Sequence, residues 1–132
     1  MSLVLVSGML LGACSNGKQD ESAGDEANPF YSKFDTPYQV PPFDEIKNEH
    51  YMPAFKKGME QHKEEIQAII KNDEPATFEN TIAALDKSGM MLRRVSSVFS
   101  NLKSSTIDDE LQEIANKVSP LKSQHYDDIN LN

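Results

Sequence analysis

One proline-free run, Thr77 to Lys103, limits what this chain can fold into. Its sequence is TFENTIAALDKSGMMLRRVSSVFSNLK. At about 100° per residue its apolar side chains fall on a single arc. Phe78, Ile82, Leu85 and Leu92 lie on one side, and Met91, Val95, Val98, Phe99 and Leu102 carry it to the other. The arc covers roughly 200°, twice the roughly 100° stripe of an ordinary surface helix. A helix of about 1.5 Å per residue would be roughly 40 Å long here. So wide an apolar face needs neighbours on more than one side, which predicts the middle helix of a bundle. Thr77 is a suitable N-cap, and Pro75 closes the loop before it. Arg93 and Arg94 stand at opposite edges of the arc, where their stems can cover apolar surface. Gly89 lies inside it, either for close approach of another helix or as a weak point costing about 1 kcal/mol.

Two further helices flank this run. From Asn48 to about Lys71, the residues Met52, Phe55, Met59, His62, Ile66 and Ile69 recur at helical spacing as a narrow seam. Asn48 can cap that helix, and Pro53 falls in its first turn or so, where a missing amide costs least. Thr106 can cap the third, with Asp108, Asp109 and Glu110 at its positive end. Ile107, Leu111, Ile114, Val118, Leu121, His125 and Ile129 form its seam, and Pro120 should kink it. The expected fold is all-α: an antiparallel bundle of about three long helices. Two companions of this kind would not sheath the whole arc of the middle helix, which predicts an incomplete lobe.

The segment before the helices divides in three. Met1 to Ala13 is apolar and small, shorter than the roughly 20 residues that span a bilayer, and suits a secretory leader. Leu11-Gly12-Ala13-Cys14 resembles the lipobox of bacterial lipoproteins. That resemblance implies cleavage before Cys14, the lone cysteine, and lipid on it. Several acyl chains at one site hold a protein on a membrane, where one does not. The competing reading is a free cysteine in a signal anchor. Residues 14–28 are polar, acidic and without aromatics, the composition of a solvated tether. Pro29 to Phe43 carries Pro29, Pro37, Pro41 and Pro42 among Phe30, Tyr31, Phe34, Tyr38 and Phe43. Prolines of that density favour an extended arm, and its aromatics should strap it across the bundle over residues 29–132. The net charge of -8 and the lack of any basic patch argue against nucleic acid as a partner.

The chain shows no reactive constellation. Its histidines are His50, His62 and His125. A zinc protease helix needs two His four apart with Glu beside the first. His62 is followed by Lys63, Glu64, Glu65 and Ile66, which lacks the second His. Both His62 and His125 lie on apolar seams, so each is expected as a hydrogen-bonded packing residue. Ser96 and Ser97 have no base in view, and adjacent Asp127 and Asp128 cannot face each other on a helix. No catalytic and no metal-binding residue is expected in this chain; Cys14 is the one site, for lipidation.

Segments in fixed order nonetheless resemble a known family. They are NPF at 28–30, PPFDEIKNEHYMPAF at 41–55, GM at 58–59, TFENTIAALDKSG at 77–89, MLRRVSSVF at 91–99, DELQ at 109–112 and DDINLN at 127–132. Together they look like the N-terminal region of bacterial peptidyl-dipeptidases (dipeptidyl carboxypeptidases) in the thimet-oligopeptidase family of zinc metallopeptidases. The resemblance implies an almost wholly helical parent of two lobes around a substrate channel. Its zinc would sit several hundred residues downstream on a His-Glu-x-x-His helix with a later Glu ligand, polarising the scissile carbonyl and activating water. Such enzymes release dipeptides from the C-terminus of unfolded peptides. This chain would be the front, non-catalytic piece, inactive alone, with the rest of its own polypeptide as partner and peptides as substrates of the whole. Family members are often soluble, and the Cys14 leader departs from that, pointing to a lipid anchor in the bacterial cell envelope. The alternative is a self-contained helical lipoprotein that binds a partner or acts as a spacer.

Overall fold

The computed structural model describes residues 28–131. The leader, Cys14 and nearly all of the acidic segment lie outside the described residues. The fold is all-α, with three long helices and no strand among the described residues. Helix α1 is Tyr51–Ile70, α2 is the single turn Ala84–Lys87, α3 is Met90–Ser105 and α4 is Asp109–Asn130.

Contacts along the helices fix their directions. Gly58 of α1 meets Leu92, and His62 meets Gly89, so α1 and α3 run antiparallel. Asn48 bonds to Asp108 while His62 and Lys63 reach His125 and Asp128, so α1 and α4 run parallel. The long helices therefore go up, down and up. Helix α1 takes the middle position, packed against both α3 and α4. The sequence pattern gave that place to the run starting at Thr77. Small side chains decide otherwise: Ala54 is fully buried, and a Cβ on Gly58 would lie 3.0 Å from the Leu92 Cα. Backbones that close need one helix to present glycine.

The expected continuous helix over 77–103 is also broken. It divides into a six-residue π-helix, Phe78–Ala83, then α2, a turn at Ser88 and Gly89, and α3. Gly89 adopts φ +68°, the left-handed region that costs an L side chain roughly 1–2 kcal/mol. Its amide donates to Glu65 Oε2 at 2.7 Å, and its backbone lies against the His62 ring. Thr77 does cap the segment: its hydroxyl accepts from the Asn80 amide at 3.1 Å while Asn80 Oδ1 accepts from the Thr77 amide at 2.8 Å.

The break splits the apolar arc. Met91, Leu92, Val95, Val98 and Phe99 are buried in the core with Phe30, Tyr51, Phe55, Leu111, Ile114 and Val118. Tyr51 lies between Phe30 and Phe99, with ring centroids 5.5 and 5.0 Å away. Phe78, Ile82 and Leu85, on the far side of the break, remain 65%, 53% and 51% exposed.

The arm lies across the bundle through Phe30 and Phe34, both in the core. Asn28 fastens its start, donating to the His50 carbonyl at 2.9 Å and accepting from the Phe30 amide. Arg94 donates to the Phe30 and Ser32 carbonyls and sets its guanidinium 5.3 Å from the Phe34 ring centre. Arg93 instead donates to the Asp86 carbonyl at 2.7 Å, tying α3 to α2. The strap is partial. The arm tightens into 3-10 turns at Pro29–Tyr31 and Pro37–Gln39, and Tyr38 projects into solvent at 99% exposure with φ +58°.

Two caps differ from expectation. Asp108, not Thr106, opens the last helix, accepting from the Glu110 and Leu111 amides. Ile107 is accordingly exposed instead of joining the seam. Asn48 donates to Asp108 and Glu110, while the His50 ring accepts from the Lys47 amide before α1. Helix α4 runs on through Pro120, which lies at an exposed position.

Candidate functional site

Two features stand apart from the core: an uncovered apolar face and a histidine pair. The face belongs to the π-helix and α2. Its shape follows from local bonds, since the Thr77–Asn80 box starts the segment and Ser88 Oγ ends it by donating to the Leu85 carbonyl at 2.7 Å. Asn80 also donates to the Pro75 carbonyl at 3.0 Å, holding the preceding loop in place. With both ends fixed and Gly89 turning the axis, Phe78, Ile82 and Leu85 remain more than half exposed. A groove of about 450 Å³ runs between this segment and the end of α1, lined by Glu65, Ile69, Asn72, Asn80 and Lys87 among others. Contiguous exposed apolar patches mark interaction surfaces, and these three side chains are the candidates for one here.

The histidine pair joins α1 to α4. His62 Nδ1 and His125 Nε2 are 3.0 Å apart, with ring centres at 5.0 Å. His125 is buried and His62 half-buried. Burial pushes the His62 imidazole below its ordinary pKa, with Glu65 opposing and Arg93 adding to the fall. Burial lowers His125 too, helped by His62 and Lys63 and opposed by Asp128. Each was expected as a packing residue on a seam; that they bond to each other depends on the register of α1 against α4, which periodicity does not carry.

His50, Ser96 and the Lys63–Asp128 pair have structural partners. His50 is buried and serves the turn before α1. Lys122 donates to Ser96 Oγ at 3.1 Å, and Ser97 is exposed. Lys63 pairs with Asp128 at 2.7 Å, both exposed. Cys14, the lipidation candidate, lies outside the described residues. The described residues do not suit a catalytic zinc: no three His, Cys, Asp or Glu side chains converge on one point. Nor is any helix among them long and apolar enough to cross a membrane.

No protein-family profile matches the chain. Individual proteins do. The chain is 44% identical over 105 residues to a dipeptidyl carboxypeptidase of Escherichia coli (strain K12), a match covering 80% of this chain and 15% of that protein. It is 41% identical over the same length to a dipeptidyl carboxypeptidase of Salmonella typhimurium, with the same coverage. An oligopeptidase A of Escherichia coli is 32% identical over 90 residues, 68% of this chain and 13% of that protein. The chain thus spans about a seventh of the length of these relatives.

Proposed function

We propose, because this chain belongs with the dipeptidyl carboxypeptidases of the thimet-oligopeptidase-like family, that it is the N-terminal, non-catalytic part of a zinc peptidase acting on short unfolded peptides. The whole protein would release dipeptides from peptide C-termini. The observation that carries this is the 44% identity sustained over 105 residues. In this reading zinc and the groups that act with it would be supplied by other parts of the polypeptide. What this region contributes is scaffold and contact surface.

The open face supports that role. Phe78, Ile82 and Leu85 are more than half exposed and stand outside the buried core. The occupant we assign is the rest of the same polypeptide. The domain plan follows: a leader over 1–13, a tether over 14–28 and the helical region over 29–132. Lipid on Cys14 would anchor the protein in the cell envelope, with the tether holding the folded part off the membrane. Peptides are the substrates and the lipid bilayer the attachment surface.

The test uses the complete gene product and an unstructured, N-blocked pentapeptide, with products identified by mass. Release of the C-terminal dipeptide, abolished by a zinc chelator and restored by zinc, supports the proposal. Chelator-insensitive cleavage, or no cleavage by a folded product, overturns it. The 132-residue chain alone should release nothing. The second reading, a self-contained partner-binding lipoprotein, rests on the same exposed face. It requires the chain to be monodisperse and fully stable with that face uncovered.

A further inference from the structure

The His62–His125 contact sits where the packing of α4 thins out. The buried side chains of α4 are Leu111, Ile114, Val118 and His125. Beyond Val118, His125 is therefore the one buried anchor among the described residues of that helix. The Lys63–Asp128 pair beside it is exposed, and such pairs contribute little. His125 is thus the one buried side chain in the second half of α4, with half-buried Ile129 and the Lys122–Ser96 bond to α3 adding to its hold.

That contact has three protonation states. With both rings neutral, one nitrogen donates to the other. One added proton keeps the N–H···N bond and strengthens it by charge. A second turns both facing nitrogens into donors, 3.0 Å apart, and the bond is lost. The neighbours do little to relieve that second charge. On α1, the Glu65 carboxylate already accepts from Gly89 and from Gln61, and Lys63 is itself a cation. On α3, Arg93 is a further cation. On α4, Asp128 is taken by Lys63, and Tyr126 offers only its ring edge-on at 5.4 Å from the His125 ring centre.

We propose that His62 and His125 form an acid-released latch, fastening the second half of α4 to α1 while the pair shares a hydrogen and freeing it when both rings are charged. The sign agrees with the electrostatics. Both rings bind protons less readily when packed than when free, so acid favours the opened state. The stabilising contribution is present above the free-histidine value near 6.5 and falls as pH drops below it.

The test is amide hydrogen exchange on the intact chain between pH 7.5 and 5, corrected for the intrinsic rate, with ring nitrogens followed by long-range proton–nitrogen spectra. Residues 121–130 should exchange about tenfold faster per pH unit below 6.5 for each proton taken up on opening, while residues 54–60 and 91–99 keep their protection. The spectra should show one donor and one acceptor nitrogen at pH 7.5, with the two rings titrating in separate steps. His125→Gln should abolish the acid dependence, because the amide keeps a hydrogen bond without titrating. If that variant does not fold, His62→Gln reads the same quantity. Independent titration of both rings near 6.5, or an unchanged acid response in the folded variant, would overturn the latch.

Discussion

Replacing Gly89 by alanine distinguishes two architectures by the sign of its effect. In a helix running unbroken from Thr77 to Lys103, Gly89→Ala would stabilise by about 1 kcal/mol through helix propensity alone. In the structure the residue has φ +68° and ends one segment while beginning another. A left-handed alanine costs roughly 1–2 kcal/mol. Its Cβ would lie 3.0 Å from His62 Cγ and Nδ1, tighter than ordinary contacts. The ring cannot swing freely, since Nδ1 is bonded to His125. Crowding of that kind typically adds about 1 kcal/mol or more. The net expectation is a loss of about 2–3 kcal/mol, read as a lower urea midpoint at unchanged slope. For a domain of about 100 residues that is a fall of roughly 8 °C or more in Tm. A variant equal to or more stable than the parent would refute the break at Gly89 and restore the single long helix.

Four other outcomes follow from the packing. Tyr51→Phe should raise stability by about 1 kcal/mol, because the buried Tyr51 hydroxyl lacks a hydrogen-bond partner among the described residues and its pKa is pushed up to about 12 by burial; urea titration reads it directly. Leu92→Ala should cost about 2–5 kcal/mol, read as a lower urea midpoint or, at the upper end, as lost helicity by circular dichroism, since Leu92 is fully buried at the α1–α3 crossing. Ile82→Ser should stay within about 0.5 kcal/mol of the parent in this chain while reducing any self-association in sedimentation, because Ile82 is more than half exposed and outside the buried core. Acid should weaken the fold in two stages: one below about 6.5 from the depressed histidines, and another below the ordinary carboxylate range. The second arises because Asp108, lowered by its Asn48 and Leu111 bonds, loses its capping role as pH falls through its folded pKa. Urea midpoints from pH 8 to 3 test both stages.

Much of this fold was legible because two seams are strongly periodic. Phe55 and Ile66 on α1, and Leu111, Ile114 and Val118 on α4, are buried as their spacing required. The break at Gly89 was not, because periodicity counts residues and is blind to the sign of φ. The Ser88-Gly89 dipeptide was the available signal, a turn marker inside an otherwise helical pattern. The cap of α4 was ambiguous between Thr106 and Asp108, both good caps. Asn48, sixty residues earlier in the chain, bonds to the second of them. The aromatic arm was half legible: Phe30 and Phe34 found core positions, whereas the left-handed Tyr38 after Pro37 points outward. The central place of α1 rested on Gly58 and Ala54, which a search for large apolar residues overlooks. The family likeness came from matched segments in order, not from any site.

The identity of the native gene product bears most directly on the account. The relatives are about seven times longer than the matched region, roughly 700 residues, since 105 residues make up 15% of the dipeptidyl carboxypeptidase of Escherichia coli. Mass spectrometry of the membrane fraction of the source organism, following peptides from residues 29–130, should find them in a lipidated polypeptide of about that size. Further along, that polypeptide should contain His-Glu-x-x-His. Finding the same peptides only in a product near 14.8 kDa would contradict the assignment to a peptidase.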